Sequence, residues 1–267
     1  MVFSQQEPPH ASGVKFPRSY YSEYAYDEYS WLKTFNQRRP QYEALIAMLR
    51  KSSAASVADV CEIGCGVGMF SYALRMGFED KVNLTVGDVS DYALQVTRSK
   101  VGNIPLTIVK SLDAQSIDLL ADSQDVLVSL DVVEHLPEPE AFFHEAHRVL
   151  RSGGLLLFST PNPESFGSRM KKASSNEENK QLLWFALHDE SHINIRPMDL
   201  WRSVCIDSGF VRIVDGSDYL WDLPYFRRVP LWFQKIFFIG TRRLFCIFRP
   251  FLPWRLGENY FGIWRKI

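Results

Sequence analysis

The chain has 267 residues, of which 46% are hydrophobic and 23% charged, and its 30 Lys and Arg nearly balance 31 Asp and Glu. Those proportions describe an ordinary globular chain and exclude a disordered, collagen-like or fully membrane-embedded one. The four cysteines (Cys61, Cys65, Cys205 and Cys246) are too scattered for a disulfide framework, which indicates a reducing compartment. The N-terminus has neither a basic nor an apolar segment, so the sequence predicts no signal peptide and favours the cytoplasm.

Residues 1–40 are interpreted as a leader followed by an aromatic cap. Residues 1–15 predict a disordered leader, and residues 16–35 combine many aromatic side chains with interleaved acids, which favours a helical cap. A helix is then predicted from about Gln41 to Lys51, where apolar residues recur at helical spacing.

From Ser56 onward, short apolar runs alternate with helical stretches. This alternation predicts right-handed βαβ units and a parallel sheet that binds ligands at the carboxyl ends of its strands. The polar stretch 163–190 predicts a mobile insertion. The predicted strands are Val57–Ile63, Asn83–Val86, Leu106–Lys110, Asp125–Leu130, Leu155–Ser159, Val211–Val214 and Gly262–Ile267.

The first predicted strand ends in the turn 62–68, whose sequence EIGCGVG holds three glycines. Glycines let a backbone approach a ligand closely, and the N-terminus of the following helix offers free N–H groups. Dinucleotide-binding enzymes use the spacing G-x-G-x-x-G, whereas here Met69 stands where the third glycine would fall. Glu62 would repel a pyrophosphate and suits a ligand that carries an amine and a sulfonium.

Four further motifs follow in order at 85–90 (TVGDVS), 112–114 (LDA), 129–136 (SLDVVEHL) and 159–162 (STPN). With them the chain resembles class I S-adenosylmethionine-dependent methyltransferases of the small-molecule group that includes ubiquinone-pathway O-methyltransferases. The resemblance covers roughly residues 40–215. It implies a Rossmann-like α/β fold, a seven-stranded, mostly parallel sheet of order 3-2-1-4-5-7-6 with helices on both faces.

That resemblance also implies a domain organisation and a cofactor. A leader and cap (1–40) precede the methyltransferase core (41–215), a basic aromatic insertion (216–258) and the last strand of the core (259–267). S-adenosylmethionine is the implied cofactor, with Asp88 holding its ribose. Asp113 fits an adenine contact and a turn equally well, and Cys65 is interpreted as a small packing residue. The residues expected to bind the cofactor are Glu62, Gly64, Cys65, Gly66, Gly68, Asp88, Val89, Asp113, Ala114 and Asp131.

Methyl transfer from a sulfonium is a direct displacement, so the protein aligns the nucleophile and removes its proton. His135 is the candidate base, with an ordinary pKa suited to an acidic hydroxyl, and Glu134 or Asp131 is expected to orient or charge-stabilise its ring. Alternatively, His135 serves the cofactor pocket. The segment 188–192 (HDESH) resembles a metal cluster but lacks an identified further ligand set, so no metal is predicted and His192 is expected in the pocket.

Residues 226–267 carry nine basic side chains and one acid, and they hold 12 of the 37 aromatic residues. Basic and aromatic residues interleave there, which predicts a surface for an anionic or amphipathic partner. We expect residues 226–258 to dock on an anionic membrane or to admit a lipophilic substrate, with a dimer interface or a simple lid as equal alternatives. No nucleic acid is expected.

The combined prediction is O-methylation of a small lipophilic or aromatic acceptor, by a cytoplasmic protein with peripheral association on the inner face of a membrane. The alternatives are a nicotinamide-dependent oxidoreductase and a catalytically degenerate module that binds the cofactor. The oligomeric state is left open.

Overall fold

The computed structural model describes residues 16, 18–25, 27–53, 56–78, 82–105, 107–174, 184–226, 228–240 and 251–267. The leader expected at 1–15 and part of the insertion therefore lie outside the described residues. The helices are α1 (Arg18–Ala25), α2 (Glu28–Ser52), α3 (Met69–Phe78), α4 (Asp91–Val101), α5 (Pro139–Val149), α6 (Phe166–Ser174), α7 (Met198–Asp207) and α8 (Leu231–Gln234). The strands are β1 (Asp59–Ile63), β2 (Asn83–Asp88), β3 (Thr107–Ser111), β4 (Gln124–Leu130), β5 (Leu150–Pro161), β6 (Phe210–Ser217) and β7 (Asn259–Lys266).

The seven strands form one sheet of order β3-β2-β1-β4-β5-β7-β6, as expected. The pairs β1–β2, β1–β4, β2–β3 and β4–β5 are parallel, and β7 runs antiparallel to both β5 and β6. The carboxyl ends of β1, β2, β4 and β5 consequently meet at one edge, which brings the predicted motifs together.

Helices cover both faces of the sheet because strand residues alternate between two apolar clusters. Leu49 and Leu74 belong to the cluster on one face, and Phe143 and Trp201 belong to the cluster on the other. The strand residues on the first face include Val60, Val126, Val128, Leu155 and Leu157, and those on the second include Cys61, Leu127, Leu156 and Phe158.

Helix α2 begins earlier than the sequence predicted. It runs from Glu28 through Pro40 to Ser52, so it crosses the boundary drawn between cap and core. Proline inside a helix costs about 3 kcal/mol, but buried aromatic side chains on both sides of Pro40 hold the helix against α3. The ring of Phe35 lies 5.3 Å from that of Tyr72, and Tyr42 lies 5.1 Å from Phe70. Packing therefore overrides the proline signal.

The connection after β5 was expected to be a mobile insertion, and this is wrong for its first part. Residues 166–174 form α6, whose start is capped by the Ser165 hydroxyl accepting from Ser168 N at 2.9 Å. Lys171 on this helix is buried and lies 3.1 Å from a carboxylate oxygen of Asp222. This ion pair anchors α6, although the polar composition of the helix alone would predict a solvent-exposed segment.

The insertion between β6 and β7 leaves the sheet at Ser217 and returns at Asn259. Ser217 pairs with Tyr260, and Asn259 pairs with Pro161 at the end of β5. Both ends of the insertion therefore lie at the edge that carries the glycine turn. Within the described ranges, no helix is long and apolar enough to cross a membrane.

Candidate active site

A cavity of about 700 Å³ opens at the carboxyl edge of the sheet. Every residue predicted to bind the cofactor lines it except Gly68, and both predicted catalytic residues line it as well. The cap and the insertion complete its walls. The wall residues from those two segments are Phe16, Tyr20, Tyr21, Thr34, Gln37, Arg38, Asp218, Trp221 and Phe251, and Tyr42 just after the cap lines the cavity as well.

The three glycines of the turn after β1 all adopt positive φ, at +73° for Gly64, +51° for Gly66 and +75° for Gly68. Side chains crowd two of them: a Cβ on Gly64 would lie 2.2 Å from Val132 Cγ2, and one on Gly68 would lie 2.8 Å from Thr97 Oγ1. At Gly66 the nearest atom to a Cβ would be 3.7 Å away. Gly64 and Gly68 therefore serve the fold, whereas the open space at Gly66 faces the cavity.

Two buried acids flank the glycine turn. Glu62, in β1, accepts a hydrogen bond from the Ser71 hydroxyl, and burial raises the pKa of its carboxyl to about 8. Asp88, at the end of β2, accepts from Gly66 N at 2.8 Å and from Ser90 N at 2.9 Å. Each Asp88 oxygen thus accepts a hydrogen bond from a backbone N–H. The pair presents carboxyl oxygens to a ligand that carries N–H or O–H groups.

The adenine-side segment follows β3. Asp113 accepts from Gln115 N at 2.8 Å, so its carboxylate makes the local turn that the sequence left as an alternative. Asp113 and Ala114 still line the cavity, as does Val89. A turn role and a ligand contact are compatible here, because only one oxygen of Asp113 makes the turn bond.

The aromatic cap is tied to the cofactor elements by two hydrogen bonds. The indole N–H of Trp31 donates to Val67 O in the glycine turn at 2.8 Å, and the Ser90 hydroxyl donates to Phe16 O at 3.0 Å. The Phe16 ring stands edge-on to His135, with centroids 5.2 Å apart. The cap therefore covers the part of the cavity in which methyl transfer is expected.

His135 is oriented by Ser191. Its Nδ1 lies 2.9 Å from the Ser191 hydroxyl and 3.1 Å from the Ser191 carbonyl oxygen, and the hydroxyl also contacts Asp189 Oδ1 at 2.5 Å. A carbonyl partner requires a proton on Nδ1, which leaves Nε2 to accept a proton. Burial and the neighbouring His192 lower the pKa of His135 to about 4. The ring is therefore neutral near pH 7, instead of titrating at an ordinary value as the sequence suggested.

Glu134 and Asp131 do not hydrogen-bond to Nδ1 of His135, so neither orients the ring, although the charge of Asp131 opposes the lowering of the His135 pKa, which fits the charge-stabilising alternative. Asp131 instead accepts from the Ser159 hydroxyl at 2.6 Å. Glu134 is fully buried, and burial raises the pKa of its carboxyl well above the ordinary value. The structure does gather ligand atoms of Glu134, His135 and His192 within 4.8 Å of one another, a grouping of metal-binding residue types that sequence spacing did not indicate.

Sequence reasoning missed Ser191, although its position between Asp189 and His192 in the HDESH segment was a usable signal. His192 lies in the cavity wall as expected, with its ring centroid 4.7 Å from that of His135. Sequence reasoning also missed Arg38, an exposed residue of α2 that lies at the cavity beside Tyr42. Nothing in a local pattern distinguishes such a residue from a solvated helix position.

Residues 61–158 match the family model described as a methyltransferase domain. The malonyl-[acyl-carrier protein] O-methyltransferase of Hahella chejuensis is 28% identical over 144 residues, which cover 51% of this chain and 51% of the relative. The ubiquinone biosynthesis O-methyltransferase of Idiomarina loihiensis is 33% identical over 109 residues, which cover 39% of this chain and 42% of the relative. The chain thus spans about half the length of the curated relatives it matches.

A solved S-adenosylmethionine-dependent methyltransferase from Thermotoga maritima shares the fold, with a TM-score of 0.58 and 17% identity over 92% of this chain and 98% of that one. The match over residues 61–158 identifies a methyltransferase domain, and the strand order and this likeness show that the chain has the fold of class I S-adenosylmethionine-dependent methyltransferases. S-adenosylmethionine is the cofactor of that class.

Proposed function

We propose that the chain transfers a methyl group from S-adenosylmethionine to a hydroxyl of a small lipophilic acceptor held in the 700 Å³ cavity. The observation that carries this proposal is the convergence of Glu62, Asp88 and His135 on one cavity from three different strand ends. A catalytically degenerate binding module would have no need of a neutral histidine beside the cofactor residues.

The residues present fit the cofactor. The open space at Gly66 admits a ligand against the backbone, Glu62 offers a carboxyl to an amine, and Asp88 offers one to ribose hydroxyls. When bound, S-adenosylmethionine supplies an electrophilic methyl group on a positively charged sulfur. A buried acid in β1 disfavours the pyrophosphate of a nicotinamide cofactor, because a nearby anion makes ionisation of Glu62 still less favourable, whereas a ligand ammonium favours it.

His135 is proposed to take the proton that the acceptor hydroxyl loses. Its Nε2 is left to accept a proton because Ser191 engages Nδ1, and burial keeps the ring unprotonated at neutral pH. Low basicity makes His135 a weak base for an aliphatic alcohol and a better one for an acidic hydroxyl, such as a phenol. This supports an aromatic acceptor, and O-methylation is also the reaction named for both relatives described above.

The walls supplied by the cap and the insertion support a lipophilic acceptor. Phe16, Tyr20, Trp221 and Phe251 line the part of the cavity outside the cofactor motifs. Such an acceptor resides in membranes more than in water, so we also propose that an anionic membrane surface is the partner of residues 226–258.

Calorimetric titration tests the cofactor half of the proposal. S-adenosylmethionine and S-adenosylhomocysteine are expected to bind with micromolar affinity, roughly −8 kcal/mol, and NADH is expected not to bind. Asp88→Ala should weaken binding at least about tenfold, since a hydrogen-bonding charged partner is lost. The matched control Asp91→Ala removes an exposed acid on α4 and should change nothing. Preference for NADH would refute the proposal.

Turnover tests the catalytic half. A panel of phenolic and aliphatic acceptors with labelled S-adenosylmethionine should show transfer to phenolic oxygen. His135→Gln should lower kcat by about 100-fold while S-adenosylhomocysteine affinity stays within a few fold. Equal loss of cofactor affinity would instead place His135 in the cofactor pocket, the alternative reading of the sequence.

A further inference from the structure

Residues 231–237 form a helical segment that is inverted relative to an ordinary surface helix. Its one uncharged polar residue, Gln234, is 1% exposed, while the apolar residues around it face solvent. Surface helices normally bury their apolar face and expose the polar one. The exposed fractions are 44% for Leu231, 64% for Trp232, 51% for Phe233, 64% for Ile236 and 57% for Phe237.

Gln234 holds the segment in this orientation. Its Oε1 accepts from Tyr225 N at 2.8 Å and Phe226 N at 3.1 Å, and its Nε2 donates to Phe226 O at 2.8 Å and Val229 O at 2.7 Å. One buried amide therefore satisfies four backbone groups of the preceding loop. Rotating the apolar face inward would break all four bonds, so solvent exposure of that face is built into the fold.

The segment is coupled to the wall of the cavity through Tyr225. The Tyr225 ring packs on Phe238 with centroids 5.1 Å apart, and its hydroxyl hydrogen-bonds to Glu258 just before β7. The same hydroxyl accepts from Asp222 N at 3.1 Å, next to Trp221, which lines the cavity. The apolar face and the acceptor side of the cavity thus belong to one connected structure.

The charged side chains of this segment have a single sign. Arg228 and Lys235 are both exposed, and the sequence from 223 to 257 contains seven basic residues and no acid. A two-fold contact between two copies would place these cations opposite one another without an acid in the segment to pair with them. An anionic lipid surface satisfies both properties at once, because acyl chains take the apolar side chains and headgroups take the cations.

We propose that residues 228–238 are an interfacial docking surface that inserts Leu231, Trp232, Phe233, Ile236 and Phe237 into the headgroup region of an anionic bilayer. Its role in supplying a lipophilic acceptor rests on the proposed function. The docking itself does not rest on the proposed function, because it follows from the exposed apolar side chains and the positive charge of the segment.

Co-sedimentation of the full chain with phosphatidylcholine vesicles, with and without phosphatidylglycerol, tests the docking. The wild-type chain should bind the anionic vesicles, and Trp232→Ser/Phe233→Ser should lower the partition coefficient by at least about tenfold. Tyr29→Ser, which removes an aromatic residue 75% exposed on α2, is the matched control and should bind as wild type does. Arg228→Glu/Lys235→Glu should weaken binding to the anionic vesicles, whereas Lys33→Glu should not.

Two results would overturn the docking proposal. One is wild-type binding to anionic vesicles that the Trp232/Phe233 variant retains in full. The other is absence of wild-type binding to those vesicles, and a dimer that the variant dissociates would then assign the apolar face to a contact between two copies. Titration with S-adenosylhomocysteine on the same preparations separates the two proposals. Vesicle binding without cofactor binding would refute the proposed function and leave the docking surface standing. Cofactor binding without vesicle binding would refute only the docking surface.

Discussion

The pKa of Glu62 predicts that cofactor binding is linked to proton release. Burial raises this pKa to about 8 in the free protein. A ligand ammonium is expected to pair with the ionised carboxylate, which is the minority form below pH 8. Raising the pH toward 8 therefore increases the competent fraction, and the apparent affinity for S-adenosylhomocysteine should rise with pH.

The magnitude follows from the ionised fraction. Between pH 6 and pH 7 that fraction grows by about tenfold, so the dissociation constant should fall by about tenfold, equivalent to about 1.4 kcal/mol. Binding should also release close to one proton, measured by calorimetry in two buffers with different ionisation enthalpies. Glu62→Gln should bind more weakly at pH 8 and lose the pH dependence. Wild-type affinity that is flat from pH 6 to pH 7, with no proton release, would refute the reasoning.

Three further predictions concern the fold and the site. Gly64→Ala should lower the free energy of unfolding, measured with denaturant, by about 3 kcal/mol or more, because its Cβ would clash with Val132. Gly153 has a similar φ but no atom near a Cβ, so Gly153→Ala should lower it by only about 1 kcal/mol. Equal losses for the two variants would rule out the steric argument. Ser191→Ala should lower kcat by about tenfold and alter the pH–rate profile, because Ser191 positions the His135 ring, while cofactor affinity stays unchanged. An unaltered pH–rate profile would argue against this positioning role of Ser191. Because burial raises the pKa of Glu258 to about 8, its folded carboxyl keeps a proton that the unfolded chain loses above its ordinary 4.5. Wild-type stability should therefore fall from about pH 5 to pH 8 relative to Glu258→Gln, by about 1 kcal/mol per pH unit, and parallel pH curves for the two proteins would contradict this.

The strand order was implied by the resemblance to a known family, and the meeting of the glycine turn and the strand-end acid at one edge of the sheet could be predicted from the alternation of strands and helices. Helix α2 could not be predicted to start at Glu28, since a proline signal is local and the packing of Phe35 and Tyr42 is not. The role of Ser191 was equally inaccessible. Its hydroxyl meets His135 across 56 positions of sequence, and only the folded chain sets that distance.

The aromatic walls described above come from segments outside residues 61–158, the part of the chain that matches the methyltransferase domain. Phe16 and Tyr42 precede that region, and Trp221 and Phe251 follow it. Under the proposed function, the residues for the cofactor and the aromatic walls for the acceptor therefore lie in separate stretches of sequence. Exchanging these flanking segments between relatives should then change the acceptor while the cofactor residues stay the same.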